Sequence, residues 1–168
     1  MNLKLRRAEK KDMHSVLELI KELAIFEQEP NAVKITEEDL IKDGFGKSPA
    51  FKAFVAEMDN VIVGMALYYE RYSTWEGRSI HLEDLVVKEN CRSKGVGNAL
   101  YTNVLKYAYD NNFKRVEWEV LDWNTRAIDF YKSTGATIFK NWRVAQIDEA
   151  ALKKFVLSKS QSENNNKK

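Results

Sequence analysis

The chain has 168 residues, 44% of them hydrophobic, which is enough for one domain with a sizeable core and too few for two ordinary domains. Its 27 lysines and arginines nearly balance its 25 aspartates and glutamates, so the net charge is +2. This balance excludes the one-sided basic surface of a nucleic-acid-binding protein, and we expect no nucleic-acid partner.

The N-terminal segment and the cysteine content bear on the compartment. The segment MNLKLRRAEKKD has no apolar core of the kind a signal peptide needs, and no apolar run approaches the length of a membrane span. The single cysteine, Cys91, has no partner for an internal disulfide, which fits a reducing compartment. We therefore expect a cytoplasmic protein with no membrane partner.

The first third of the chain is predicted to form a strand and two helices. Residues 3–6 form the strand. Pro30 closes the first helix, whose apolar stripe carries Met13, Val16, Leu17, Ile20, Leu23 and Ala24. Thr36 followed by Asp39 predicts a capped start for a short second helix that ends near Gly44.

The middle of the chain is predicted to be rich in strands. Two β-prone runs, 53–58 and 61–72, flank Asp59-Asn60, which is a plausible hairpin turn. Residues 80–87 form the central strand. The next helix follows from an apolar stripe formed by Val96, Leu100, Val104, Tyr107 and Ala108.

The last third is predicted as a strand at 115–120 and a helix at 124–133, which begins at Asn124 and stops at Gly135. Residues 138–147 are expected to form the last two strands. The domain is expected to span residues 1–157, followed by a disordered polar tail at 158–168.

These elements predict the fold class. A hairpin implies antiparallel pairing, whereas the later strand–turn–helix–strand order implies a parallel crossover. We therefore expect an α/β (α+β) fold, in which a mixed sheet carries helices on both faces.

The segment HLEDLVVKENCRSKGVG, residues 81–97, carries the most chemistry. A strand bearing Glu83 and Asp84 runs into a basic, glycine-spaced turn that opens onto a helix. Free amides at a helix start, together with glycines that admit close approach, can hold a phosphate. The order of residues fits neither a Walker loop nor a dinucleotide fingerprint. A tight strand-to-helix turn without a ligand is the alternative.

This segment resembles motif A of the GNAT acetyltransferase superfamily. Residues 120–136, VLDWNTRAIDFYKSTGA, are similar to the family's second signature. The segments KELAIFE, DGFG, YSTWEGR, LEDLVV and the Trp142-Arg143 pair further resemble the diamine acetyltransferases, and more the thialysine-acetylating type than the spermidine/spermine type. Where the spermidine/spermine type has an acid before the tryptophan, this chain has Ser73 and Thr74.

The resemblance implies acetyl-CoA as cosubstrate and a sheet with a splayed central parallel pair. The pyrophosphate would be held by the loop residues Arg92, Ser93, Lys94, Gly95, Val96, Gly97 and Asn98. The pantetheine arm would lie on the backbone of Leu85, Val86 and Val87. It further implies that Asn124 contacts the CoA arm, besides capping its helix. It also implies that Tyr131 protonates the leaving thiolate. A packing role in the core is the alternative for Tyr131.

The acids have a chemical rationale of their own, because an alkylammonium must lose a proton before it attacks a thioester. Strand alternation predicts that Glu83 and Asp84 point to opposite faces. The resemblance favours Glu83 as the base through a water molecule and Asp84 as an amine ligand, and it places Glu27 in the substrate site. A salt-bridge role for the acidic pair and solvent exposure for Glu27 are the alternatives.

Trp75 and Trp142 are candidate walls for an aliphatic amine, although tryptophans more often serve packing. The resemblance implies a homodimer, often with an exchanged C-terminal strand. Cys91 is expected to be structural, and the spacing of His14 and His81 predicts no metal site. A small-molecule amine acetyltransferase is favoured, with a protein N-acetyltransferase and a non-catalytic CoA-binding sensor as the alternatives.

Overall fold

A computed structural model describes residues 2–165, and side chains as far as residue 159. The strands are β1 Leu3–Arg7, β2 Lys52–Met58, β3 Val61–Ser73, β4 Gly77–Val87 and β5 Arg115–Glu117. The helices are α1 Met13–Phe26, α2 Glu37–Phe45, α3 Val96–Asp110, α4 Thr125–Ser133 and α5 Glu149–Asn165. The chain divides into two compact units, one ending at Glu119 and the other beginning at Val120. The single-domain boundary at 157 stays a prediction.

The first unit contains a five-stranded sheet in the order β1-β2-β3-β4-β5. The first four strands pair antiparallel, whereas β4 and β5 pair parallel. This confirms the predicted mixed sheet. The parallel pair lies at the edge of the described sheet, because no strand follows β5 within residues 2–165.

Helices cover both faces of this sheet, as predicted. The α1 face carries the main apolar cluster, in which Met13, Val16 and Leu17 of α1 pack with Met65 and Leu67 of β3. On the α3 face, Tyr68 packs against Tyr107 with ring centroids 5.1 Å apart. The repeat of apolar residues along α1 and α3 in the sequence therefore correctly predicted the faces of these helices that pack on the sheet.

Two local signals in the sequence are confirmed atom by atom. The Thr36 side chain accepts a hydrogen bond from the Asp39 amide, and the Asp39 carboxylate accepts one from the Thr36 amide, which completes a capping box at α2. Asp59 and Asn60 both have positive φ, 50° and 65°, which matches the tight hairpin turn predicted between β2 and β3.

The second unit differs from its prediction. Residues 137–148 contain no strand, so the prediction of two strands at 138–147 is wrong for the single chain, and β5 stops at Glu117. Helix α5 continues through Asn165, into the tail predicted to be disordered, and residues 166–168 lie outside the described residues. None of the helices described between residues 2 and 165 has the length and apolar character of a membrane span.

Candidate active site

A β-bulge in β4 creates the acidic part of the site. Leu82 pairs with Tyr68, but the next residue of β3, Leu67, pairs with Asp84. Glu83 is therefore an extra residue in β4, without its own partner on β3. Directly opposed residues share a face, so Leu82 lies with Tyr68 on the α3 face, whereas Asp84 lies with Leu67 on the α1 face.

Glu83 also lies on the α1 face. It is two residues after His81, and its Oε2 is 3.5 Å from Nε2 of that histidine. The prediction that Glu83 and Asp84 point to opposite faces is thus wrong. Alternation assumes an unbroken ladder, and the bulge shifts it by one residue. The two adjacent carboxylates consequently face the same side of the sheet.

Glu27, which ends α1, completes an acidic cluster with these two residues. Burial, reinforced by the negative charges of Glu83 and Glu27, raises the pKa of Asp84 to about 6. Burial also raises the pKa of Glu27, although this residue remains exposed. The structure therefore brings together three of the predicted substrate ligands, Glu27, Glu83 and Asp84.

Tyr69 lies near the carboxylate of Glu83. Burial, followed by the charge of Glu83, raises the pKa of Tyr69. The phenol thus stays protonated and remains a donor. Sequence analysis missed Tyr69. The available signal was the hairpin register, because a three-residue turn after Ser73 places Tyr69 opposite His81.

The predicted phosphate loop has the backbone that anion binding requires. Ser93 and Gly95 have positive φ, 63° and 81°, and Gly95 precedes the first residue of α3. No side chain caps this helix start, so the amides of its first turn, including those of Gly97 and Asn98, are not used by a cap. A Cβ added at Gly95 would meet no atom within 4 Å, so the space beside it is open to a ligand.

The two cationic side chains of the loop bond to nearby backbone. Nζ of Lys94 donates to the carbonyl of Asn90 at 2.9 Å, and Nε of Arg92 donates to the carbonyl of Val87 at 3.0 Å. The guanidinium of Arg92 also lies 5.3 Å from the ring centroid of Phe26. Arg92 thereby connects the loop with the end of α1 that carries Glu27, a contact that the sequence did not reveal.

The parallel ladder leaves part of β4 without a neighbour on the β5 side. The pairing joins Ser79, Ile80 and His81 to Arg115, Val116 and Glu117 and extends no further among residues 2–165. From Leu82 to Val87, β4 is therefore paired only with β3. This stretch includes Leu85, Val86 and Val87, whose backbone groups were predicted to hold an extended ligand arm. The predicted splay stays a prediction, and the parallel pair lies at the edge of the described sheet, not at its centre as predicted.

Trp75 is placed away from the acids in the single chain. It lies in the turn before β4 and is 83% exposed. Asp84 lies seven residues beyond the start of β4, which is a strand length of about 23 Å. Ser73 is used locally, since its Oγ accepts hydrogen bonds from the amides of Trp75 and Glu76.

The remaining predicted site residues belong to the second unit. The Asn124 side chain accepts a hydrogen bond from the Ala127 amide at 3.2 Å, which confirms the predicted cap. Tyr131 is buried on α4, 5.3 Å from the ring centroid of Phe130. Trp142 is exposed within the irregular segment before α5. Their catalytic and binding roles stay predictions.

The described residues include no group of three histidine, cysteine or acidic side chains that would suit a metal. Cys91 is partly buried at the end of a 3-10 turn. His14 is exposed and lies 3.1 Å from a carboxylate oxygen of Glu37.

Two acids of the cluster, the half-open end of β4 and a glycine-bearing loop at a helix start thus lie along one stretch of the chain, residues 83–98. A family model described as "Acetyltransferase (GNAT) family" matches residues 13–136, which is more than half of the chain. The chain belongs to the GNAT acetyltransferase family. This GNAT protein is accordingly an acetyl-CoA-dependent amine N-acetyltransferase, which confirms the resemblance seen in the two sequence motifs.

Individual relatives place this GNAT acetyltransferase more narrowly. A thialysine N-epsilon-acetyltransferase of Bos taurus is 39% identical over 160 residues, which are 89% of this chain and 94% of that protein. The human spermidine/spermine N(1)-acetyltransferase-like protein 1 is 34% identical over 79% of this chain, which is 20% of that longer protein. An integron cassette protein from the mobile metagenome of V. cholerae has a TM-score of 0.75 at 23% identity, over 93% of this chain and 98% of that one, and confirms the fold.

Proposed function

We propose that this acetyltransferase moves the acetyl group of acetyl-CoA to a primary amine of a small cation, with thialysine-like amino acids first and polyamines second. The amine attacks the thioester directly, without a covalent enzyme intermediate. The observation that carries the proposal is the acidic cluster of Glu27, Glu83 and Asp84 on one face of the sheet, since three carboxylates attract an ammonium group. The curated relatives just described support the same substrate class.

Two carboxylates of the cluster have different roles: one accepts the proton and the other binds the ammonium. Removing a proton from an alkylammonium of pKa about 10.4 at pH 7 costs roughly 4–5 kcal/mol, so a base must act as the nitrogen attacks. Glu83 is 51% exposed and takes this proton through a water molecule. Asp84 is half-buried and binds the ammonium, because burial leaves its charge poorly solvated until a cation arrives.

Acetyl-CoA supplies an activated thioester, and several features of the chain fit it. The uncapped start of α3 and the open space beside Gly95 suit the pyrophosphate, with Arg92, Ser93, Lys94, Val96, Gly97 and Asn98 completing the loop. The open side of Leu85 to Val87 suits the pantetheine amides, as an added strand would. We further propose that an amide near Leu85 stabilises the oxyanion of the tetrahedral intermediate. Asn124 contacts the same arm.

Tyr131 is proposed as the general acid that protonates the leaving thiolate. Replacing Tyr131 with phenylalanine is expected to lower kcat about 100-fold, near the lower end for general acids, because a phenol of pKa about 10 gives up its proton reluctantly. The Kd for CoA should stay within about twofold. Steady-state kinetics and calorimetric titration with CoA measure the two effects. Full activity in this variant would remove Tyr131 from the mechanism.

Thialysine-like substrates come first because of the turn before β4. An acid there would supply another ligand for a polyamine, but this chain has Ser73 and Thr74, and Ser73 is engaged in the turn. A sulfur two carbons from the amine lowers its basicity, so less negative charge is needed for its deprotonation. Trp75 and Trp142 are the proposed walls for the aliphatic part of the substrate.

The deciding experiment is release of the CoA thiol from acetyl-CoA with thialysine, lysine, spermidine, spermine, putrescine and a lysine peptide. We expect the highest kcat/KM with thialysine. Preference for spermidine or spermine would mean that the three acids suffice for polyamines. Preference for the peptide, or no release despite CoA binding, would contradict the proposal in favour of a protein acetyltransferase or a CoA-binding sensor.

We also propose that the enzyme is a homodimer in the cytoplasm. In the structure of one chain, several large apolar side chains of the second unit remain exposed: Phe139, Trp142, Val144, Ile147 and Phe155. The segment 138–147, which carries four of them, was predicted as strand, and pairing with a second copy would cover it. Light scattering that gives a monomer mass would contradict the dimer. The single cysteine supports the compartment, which fractionation of cells would test.

A further inference from the structure

His81 is a buried polar residue to which neither the motifs nor the proposed mechanism assigns a role. It is 8% exposed, although it lies in the strand that carries Glu83 and Asp84. Its ring stacks on that of Tyr69, its cross-strand neighbour, with centroids 5.1 Å apart and an interplanar angle of 28°. The stack fixes the plane of the imidazole, because both side chains stand on the same face of adjacent strands.

The imidazole lies between two carboxylates. Nε2 is 3.5 Å from Oε2 of Glu83, and Nδ1 is 4.0 Å from Oε1 of Glu117. Nδ1 is buried and has no hydrogen-bond partner among the residues that the structure describes. A buried ring nitrogen without a partner is costly, so its retention beside two acids calls for an explanation.

Glu117 is itself held firmly. Nη1 of Arg71 lies 2.6 Å from its Oε1, and Nη2 of Arg115 lies 2.8 Å from its Oε2. Two guanidinium groups from β3 and β5 thus compensate the charge of Glu117, although its Oε1, like Nδ1 of His81, is buried without a hydrogen-bond partner among the described residues. A role limited to neutralising Glu117 would not require a nitrogen directed at Glu83.

We propose that His81 is a positioning residue for the acetyl transfer: its imidazole, fixed by stacking on Tyr69, directs Nε2 at the Glu83 carboxylate and orients it. Oε1 of Glu117 lies 4.0 Å from the opposite, Nδ1 edge of the imidazole. Only a short movement would bring the Nε2–Oε2 separation into hydrogen-bond range. Glu83 is an extra residue in a bulge and lacks a cross-strand partner, so it needs this support from side chains. The inference rests on the proposed function, since it concerns the base of that reaction.

Two substitutions at position 81 separate ring packing from hydrogen bonding. His81→Phe keeps an aromatic ring against Tyr69 but removes both nitrogens, whereas His81→Gln restores an N–H donor near the position of Nε2. With the best amine of the panel, we expect His81→Phe to lower kcat about tenfold and to leave the KM for acetyl-CoA within twofold. We expect His81→Gln to recover at least half of the wild-type kcat. His14→Gln, at an exposed site on α1, is the matched control and should keep full activity.

Several outcomes would overturn the proposal. The first is a kcat for His81→Phe within twofold of wild type. The second is a kcat for His81→Gln as low as that of His81→Phe. The third is a His81→Phe variant whose loss of kcat is explained by partial unfolding, seen as a lower melting temperature. A second measurement needs no turnover: the ring nitrogen NMR signals of His81 should shift in Glu83→Gln, and those of His14 should not. Unchanged His81 signals would refute the contact with Glu83. Failure of the wild-type enzyme on every amine would refute the proposed function instead, while leaving this NMR result interpretable.

Discussion

Replacing Gly95 with valine is expected to weaken CoA binding at least about 1000-fold. Gly95 has φ of +81°, a conformation that costs a residue with a Cβ roughly 1–2 kcal/mol and a β-branched residue more. The added side chain would also occupy the open space through which a pyrophosphate reaches the amides of α3. Both effects act on the loop, so binding of the cosubstrate is lost before any chemical step. Calorimetric titration of CoA into the variant measures the change in Kd.

Gly77 offers a matched control for this experiment. It has a similar positive φ, +93°, and a Cβ added there would also meet no atom within 4 Å, but it is the first residue of β4, directly after the turn that follows β3. Gly77→Val therefore imposes comparable backbone strain away from the loop. We expect it to lower the melting temperature and to leave the Kd for CoA unchanged. Equal losses of CoA affinity in the two variants would show that strain alone, and not access to the loop, determines binding.

Replacing Asp84 with asparagine is expected to lower kcat/KM for the amine about 1000-fold while stabilising the protein. Removing one partner of a buried ion pair costs about 4 kcal/mol, and each 1.4 kcal/mol corresponds to a factor of ten. The folded enzyme, by contrast, is destabilised by an ionised Asp84, because burial and two neighbouring acids raise its pKa to about 6. This difference from the ordinary value of 3.8 corresponds to up to about 3 kcal/mol at pH 7.

The stabilisation should depend on pH in a defined direction. The folded state keeps a proton on Asp84 up to about pH 6, whereas the unfolded chain releases it near 3.8. The contribution of Asp84 to the free energy of unfolding of the wild type is therefore fully present below about pH 4. It is lost as the pH rises to 6 and above. Urea titrations should show Asp84→Asn more stable than wild type at pH 7.5 and equal to it at pH 4.

The exposed residue Asp43 on α2 supplies the control, since Asp43→Asn should leave both stability and activity unchanged. The activity profile gives an independent check. In the wild type, kcat/KM for the amine should rise as Asp84 ionises near pH 6, and this limb should be missing from Asp84→Asn. A wild-type profile that is flat through pH 6, or a variant that loses stability at pH 7.5, would contradict the assigned environment of Asp84.

Much of the first unit was predictable because its signals are local. The capping box at Thr36 and Asp39 and the turn at Asp59-Asn60 depend on residues within three positions of one another. The tight turn at the predicted phosphate loop was predictable for the same reason. Its glycines and the helix start stand side by side in the sequence, although only the structure shows the left-handed conformation at Ser93.

The bulge at Glu83 could not be predicted, because it depends on how β4 aligns with another strand. Nothing in the local sequence distinguishes an ordinary alternating strand from one that contains an extra residue. The same limit applies to Glu117, which meets His81 through parallel pairing with β4. The expected strands at 138–147 fail for a different reason. Their large apolar residues are exposed, and no strand follows β5 among residues 2–165.

The extra residue in β4 also reverses the parity of that strand. Before Glu83, even-numbered residues such as Leu82 face the aromatic side chains under α3. After Glu83, even-numbered residues such as Val86 face the aliphatic side chains under α1. One strand therefore contributes to both hydrophobic layers, and the acids stand where it changes sides. Deleting Glu83 would restore simple alternation between Leu82 and Asp84, so Asp84 and Val86 would keep their partners on β3 and their layer. The extra residue therefore adds a second carboxylate to the α1 face without displacing any other side chain of β4 from its layer.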